Sequence, residues 1–197
     1  MAKNDIQTER MRGYFIQSTK DILKGEGLRG ISVRNIADRA GYSYATLYNY
    51  FSDIKELIFI CVKDFQDECT VIIERETADS EKGLQKIGDI VQSYIRFFIQ
   101  YPGIFELFYL EGMSDLGSKH SVNTLIYEFL GNLCRTELDL CVSKKIMDKK
   151  AADTLISQLN YTVAGLLLFY LNRRVPESYE AFITSAKQQL SVIVKDK

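Results

Sequence analysis

Between Gly41 and Phe51 the chain reads Gly-Tyr-Ser-Tyr-Ala-Thr-Leu-Tyr-Asn-Tyr-Phe, a stretch dense in hydroxyl groups and without one charged side chain. Gly41 can stop a helix and Ser43 can cap the next, so the segment predicts a tight turn that sets a short helix across its predecessor. Polar side chains on a helix held in this way can enter a DNA major groove. The chemistry on offer is therefore binding through hydroxyls.

Signatures of bond-making chemistry fail on context or are missing. Gly25-Glu26-Gly27-Leu28-Arg29-Gly30 fits the G-x-G-x-x-G dinucleotide pattern. That pattern needs a preceding strand to aim phosphates at a helix N-terminus, and here the preceding pattern is helical, so the glycines read as a turn between helices. There is no G-x-S-x-G elbow, no P-loop and no Glu-x-x-His pair. The one histidine, His120, has no companions for a metal site or an acid/base scheme and reads as a solvated residue. Cys61, Cys69, Cys134 and Cys141 lack C-x-x-C spacing and sit among apolar residues, so they read as buried reduced thiols. No metal, no cofactor and no enzymatic activity are expected. Glu106 and Glu111, acidic residues in apolar segments, read as solvated helix positions, with effector contact as the alternative.

The elements that must position the hydroxyl-rich stretch are helices. In the first segment Met11, Tyr14, Phe15, Ile22 and Leu23 recur at helical spacing, and Gly25 and Gly27 end it. Ser32 caps a second helix, Val33 to Ala40, with Val33, Ile36, Ala37 and Ala40 as its apolar stripe. The third helix runs from Tyr44 to Tyr50, with Leu47 and Phe51 turned inward and Ala40 meeting Leu47 at the crossing. From Lys55 a pattern through Leu57, Ile58, Cys61, Phe65, Cys69, Ile72 and Ile73 predicts a long helix linking this small domain to a larger one.

Beyond it, breaks at Tyr101 to Gly103, Ser114 to Ser118, Lys144 to Asp148 and Arg173 to Ser178 separate amphipathic stretches. Their stripes are Leu84, Ile87, Val91, Tyr94 and Phe98, then Val122, Leu125, Phe129, Leu133 and Cys134, then Tyr179, Phe182, Ile183, Ala186, Leu190 and Ile193. Two prolines in 197 residues fit an all-α protein. The longest apolar run, Thr162 to Leu171, is ten residues, half of the ~20 a membrane span needs, so a buried helix and no membrane are expected. The charged N-terminus lacks a signal peptide's apolar stretch, and the expected location is cytoplasmic. The net charge of -1 conceals an asymmetry, +3 over residues 1–55 against -4 for the remainder, which makes the N-terminal quarter the nucleic-acid candidate.

Gly27, Ser32, Ile36-Ala37, Ala40-Gly41, Ser43, Thr46-Leu47-Tyr48, Tyr50-Phe51 and Leu57 together resemble the DNA-binding domain of the TetR family of bacterial transcriptional regulators. The resemblance implies roles. Ser32 and Arg34 open the second helix at the DNA backbone and groove edge, and Ser43 caps the recognition helix beside a phosphate. Tyr44, Ala45 and Thr46 face bases, with Thr46 also reaching phosphate. Tyr48 and Tyr50 bond phosphate oxygens. Two positions depart from the family pattern: Ala45 stands where glycine is common, and Ile54 where a phosphate-binding lysine is common. Lys55 follows, rotated by about 100° on a helix, which leaves that contact open. With no Arg or Lys on the recognition helix, guanine reading falls to Arg34, and DNA shape must carry part of the specificity.

The expected architecture is all-α: a helix-turn-helix domain over residues 1–54 and a helical effector-binding and dimerisation domain over 55–197. Phe97, Tyr101, Phe105, Phe108, Tyr109, Tyr127 and Tyr161 could line an apolar effector cavity, though core packing accounts for the same residues. Residues 151–172 and 178–194 are the expected homodimer surface, the first being apolar nearly all round; a central helix of the monomer is the other reading. Together these imply a homodimeric repressor of a palindromic double-stranded DNA operator, released by a small, largely apolar effector. The rival from another class is a helical small-molecule-binding protein or enzyme with no DNA role, and a third is a regulator with no effector.

Overall fold

The computed structural model describes residues 3–110 and 122–195. His120, Glu111 and the break at Ser114 to Ser118 lie outside them. Among the described residues the chain is helical and has no strand: α1 Lys3–Glu26, a 3-10 turn Leu28–Gly30, α2 Val33–Ala40, α3 Tyr44–Tyr48, α4 Ile54–Glu76, α5 Leu84–Gln100, α6 Pro102–Phe105 running into a π-helical turn Glu106–Leu110, α7 Val122–Ser143, α8 Lys149–Arg173 and α9 Tyr179–Lys195. Two compact units divide it, one of Met1–Asp67 with Tyr101–Asn123, the other of Glu68–Gln100 with Thr124–Lys197. The residue 54/55 division marks the start of α4; the compact units part inside that helix.

In the first unit the local signals act where the sequence put them. The Ser32 hydroxyl accepts from the Asn35 amide at 3.1 Å, and the Ser43 hydroxyl accepts from the Thr46 amide at 3.2 Å. Each cap satisfies one amide that the first turn of a helix leaves without an intrahelical partner. Gly41 has φ 78°, the left-handed conformation that ends α2 and that an L side chain resists. A core of Phe15, Ile22, Ile36, Leu47, Phe51 and Leu57, none more than 1% exposed, fastens α1, α2 and α3 to the start of α4, with Ala40 packed against it. Each such side chain contributes about 1.5–3 kcal/mol on burial.

Two expectations need correcting here. The third helix stops at Tyr48 because the Asn49 and Tyr50 amides donate to Thr46 and Leu47, three residues back, tightening the last turn. Tyr14, counted on the apolar stripe of α1, is 51% exposed. The break expected at Tyr101 to Gly103 is narrower: α5 ends at Gln100 and Pro102 already opens α6. Gly103 is obligatory there, since a Cβ would lie 2.1 Å from the Leu23 carbonyl oxygen of α1.

The second unit is held by interdigitated apolar faces. Helix α5 buries Ile87, Ile90, Val91, Tyr94, Ile95, Phe97 and Phe98, and packs on α8 and α9. Tyr94 meets Phe98 at 4.8 Å and Phe129 of α7 at 5.7 Å between ring centroids, while Tyr170 and Phe182 stack at 4.2 Å to join α8 to α9. Buried polar contacts fix the register. The Glu137 carboxylate accepts from the Gly83 amide at 2.7 Å, tying α7 to the entry of α5. All four cysteines are buried and reduced. Desolvation of the thiolate, then Glu137, pushes the Cys134 thiol up to about 12, and burial raises Cys69 and Cys141 as well.

Candidate functional site

The turn between α2 and α3 presents the hydroxyl-rich stretch outward. Tyr44 is 62% and Tyr48 53% exposed, and Ser43, Ala45, Ser32 and Arg34 are exposed as well. Thr46 is half-buried; its hydroxyl lies 2.9 Å from that of Ser43, so the two side chains brace each other. Tyr50 differs from Tyr48. It is half-buried with its ring 6.2 Å from Phe15, and its carbonyl accepts from the Arg12 guanidinium, so it also serves the packing of the turn. Ile54 packs against the core cluster, which is why a hydrophobic residue stands there. Lys55, one residue on, is exposed, and its amide donates to Asp53 Oδ1 at 3.2 Å, an N-terminal cap on α4.

Much of the unit's positive charge is engaged within the chain. Arg39 pairs with Glu26 at 3.0 Å and Lys20 with Asp64 at 3.3 Å. The Arg12 guanidinium sits 4.4 Å over the Phe51 ring and 3.8 Å from Glu56, and the Lys24 ammonium lies 5.1 Å over Tyr101. Sequence reasoning counted these as excess positive charge and could not see where each was spent. It also passed over Tyr42, which stacks on Tyr14 with ring centroids 6.1 Å apart. The signal available for that pair was the polar tip of each ring at a position where any apolar residue would have satisfied the periodicity.

The seven aromatic residues considered for an effector fall into different units. In the first, Phe105 and Phe108 are buried, and Phe105 stacks on Tyr109 at 5.2 Å. In the second, Phe97 is buried and lines a cleft of about 250 Å³ with Ile72, Glu76, Ser93 and Arg96. Tyr127 and Tyr161 are 51% and 70% exposed on α7 and α8, and hydrogen bonding to Tyr127 raises the Tyr161 phenol above its ordinary range. A larger cavity of about 430 Å³ opens between α4, α5 and α7, with Ile73, Ile90 and Phe129 on its apolar side and Glu74, Lys86 and Glu137 among its polar groups. None of the seven lines it. Among the described residues no cluster of His, Cys, Asp and Glu could hold a metal ion.

Comparison with known proteins agrees with the geometry. Residues 15–59, which span α1 through the start of α4, match the family described as bacterial regulatory proteins, tetR family. Over 90 residues the chain is 33% identical to the HTH-type transcriptional regulator PksA of Bacillus subtilis (strain 168), an alignment that spans 44% of each protein. The chain thus matches less than half the length of that relative. Among solved structures, the transcriptional regulator FadR from Bacillus subtilis in complex with stearoyl-CoA superposes with a TM-score of 0.70 at 15% identity, covering 92% of this chain and 96% of that one. A TetR family transcription regulator from Marinobacter aquaeolei VT8 gives 0.65 at 17% identity, covering 98% of both. At these identities the structures speak for the fold: an N-terminal helix-turn-helix followed by a helical domain. Residues 15–59 thus match the DNA-binding segment of the tetR family of bacterial regulatory proteins, and the chain shares the fold of solved TetR-family structures.

Proposed function

We propose that the protein is a homodimeric transcription regulator that represses from a palindromic DNA operator and is released by a small molecule. The observation that carries this reading is α3, a short helix capped by Ser43 whose exposed face bears Tyr44, Ala45 and Tyr48 while Leu47 anchors its other side. Arg34, exposed on α2, supplies a bidentate donor for guanine, and the tyrosines supply hydroxyls for phosphate. Two such helices about 34 Å apart would read one face of the duplex, so the function needs a dimer. The functional division follows the sequence reading, with residues 1–54 for DNA and 55–197 for effector and dimer.

The dimer surface we assign is α8 with α9. Tyr161, Leu168 and Phe169 on α8 are 70%, 40% and 58% exposed, and Val192 on α9 is 59% exposed, while the opposite face of α8 buries Leu155, Leu159, Val163 and Leu167. Apolar residues on both faces of one helix fit a second copy as partner. Lys149–Arg173 is also long and apolar enough to cross a bilayer by length and composition. Its buried face against α5 and α9 supports the dimer reading instead, in a cytosolic protein.

Two of the clefts of the second unit can take an effector, and a relative of the same fold carries stearoyl-CoA. Of the aromatic set Phe97, Tyr101, Phe105, Phe108, Tyr109, Tyr127 and Tyr161, which stays part of this proposal, Phe97 lines one of these clefts. An effector acts only by favouring one conformation by a few kcal/mol, and α4, shared by both units, is the covalent route for that change.

Selection from a random duplex pool tests the reading. The protein should enrich a palindrome with half-sites about 10 base pairs apart, bound in a salt-dependent way. Enrichment of no sequence would remove the regulator reading in favour of a helical small-molecule-binding protein.

A further inference from the structure

Tyr14 on α1 and Tyr42 in the turn before α3 form an exposed stack that neither the helix-turn-helix pattern nor the core requires. Tyr14 is 51% and Tyr42 36% exposed, with ring centroids 6.1 Å apart and planes 29° from parallel. Phe15, fully buried, holds Tyr42 from the inner side at 5.7 Å. We propose that this stacked pair is a second phosphate-binding element of the DNA interface, placed beside the recognition helix and contacting the backbone through its phenol hydroxyls. The proposal rests on the DNA-binding reading given above.

Three observations converge on it. Tyr42 directly precedes Ser43, the cap of α3, so whatever α3 approaches, Tyr42 approaches too. A residue there need only be apolar to staple the turn against α1. Tyrosine at both members of an exposed pair adds polar tips that packing alone does not use. Stacking also limits ring rotation before binding, which lowers the entropy lost when a hydroxyl meets a phosphate.

The third observation is the charge inventory. α3 carries no Lys or Arg, and Arg12, Lys20 and Arg39 are tied to partners inside the chain. Arg10, Arg29, Arg34 and Lys55 remain exposed as cations, and the exposed phenols add neutral donors to them. With Tyr14 and Tyr42, the exposed phenols on and before α3 and on α1 number four, alongside Tyr44 and Tyr48. A neutral hydroxyl releases no counterion, whereas each cation on a phosphate adds about 0.9 to the slope of log affinity against log salt. The phenols' share of operator binding should accordingly be insensitive to salt.

The test uses the full chain and a duplex that the wild-type protein selects from a random pool. Tyr14→Phe and Tyr42→Phe keep the stack and remove the hydroxyls. Each should weaken binding roughly three- to tenfold per half-site, equally for all sequences, with the melting temperature and the salt slope unchanged. Arg34→Ala, by contrast, removes the donor assigned to guanine and should relax the preference at that base rather than weaken all sequences alike. If both Phe variants bind as the wild type does, and only Tyr42→Ala loses affinity together with thermal stability, the pair is a structural staple and the proposal falls. A Phe variant with a reduced slope would also overturn it. Failure of the wild-type chain to select any duplex would overturn the DNA-binding reading itself, a separate result.

Discussion

Tyr14, Tyr44 and Tyr48 of the first unit are more than half exposed, whereas in the second Tyr94 is fully buried against Phe98 and Tyr170 is 6% exposed against Phe182. At these positions the same residue type shows its polar tip in one unit and buries its ring in the other, while Tyr127 and Tyr161 of the second unit stand exposed as well. What separates the two uses is the element beneath. α3 has five residues and depends on its serine cap and on one buried leucine, so most of its surface faces out. α5 has seventeen residues and buries eight of them. A short capped helix displays side chains; a long amphipathic helix consumes them.

Replacing the rings pulls the two regions furthest apart. Tyr94→Ala should destabilise the second unit by about 3–5 kcal/mol, the cost of a large cavity in an aromatic core. Tyr44→Ala should change stability by less than about 0.5 kcal/mol, as at exposed sites, yet alter preference among duplexes. Urea denaturation and competitive binding read the two quantities. A Tyr44→Ala loss as large as that of Tyr94→Ala would end the contrast.

Caps come next in size. Ser43→Ala should cost about 1 kcal/mol, because the Thr46 amide loses the hydroxyl that satisfies it at 3.2 Å. In so short a helix that loss should also weaken DNA binding, while Ser43→Asp retains stability by keeping the acceptor. A thermal-melting comparison of the two variants is decisive; equal losses would mean that the serine hydroxyl does not cap α3.

This division also explains what the sequence disclosed. Ser32, Gly41, Ser43, Leu47 and Phe51 act within a few residues of themselves through capping, a left-handed turn and helical spacing, so their roles were legible one by one. Ile54 was legible as a departure, and its reason, packing on the helix-turn-helix core, needed three dimensions. Tyr14 was misread because periodicity gives the phase of a helix and says nothing of how wide its buried face is. The aromatic effector set is distributed over both units, which its position along the chain did not disclose. Density of rings along a chain signals burial, and Phe105 and Phe97 are buried in different units. The polar-lined cavity between α4, α5 and α7 draws on residues more than sixty positions apart, among them Thr70 and Glu137, which no local pattern links.

The smallest effect concerns ion pairs, and it sharpens the same contrast. In the second unit Glu76 accepts from the Arg96 guanidinium and, at 2.7 Å, from the buried hydroxyl of Ser93. The Arg96 hydrogen bond holds the Glu76 carboxyl below its usual range, against the opposing pull of desolvation and with help from Ser93 and Arg75. A depressed folded-state value means that this stabilisation is full above the ordinary carboxylate range and is lost as the pH falls through the lower, folded one. Arg96→Gln should therefore cost about 0.2–1 kcal/mol at neutral pH, since the pair is partly exposed, and almost nothing in acid. Arg39→Gln in the first unit removes a pair whose side chains are 45% and 51% exposed and should cost less than the Arg96 change. Urea titrations across pH distinguish the two. An Arg96→Gln deficit that persists in acid would assign the residue to packing of its aliphatic stem on α5 and α4 rather than to its charge.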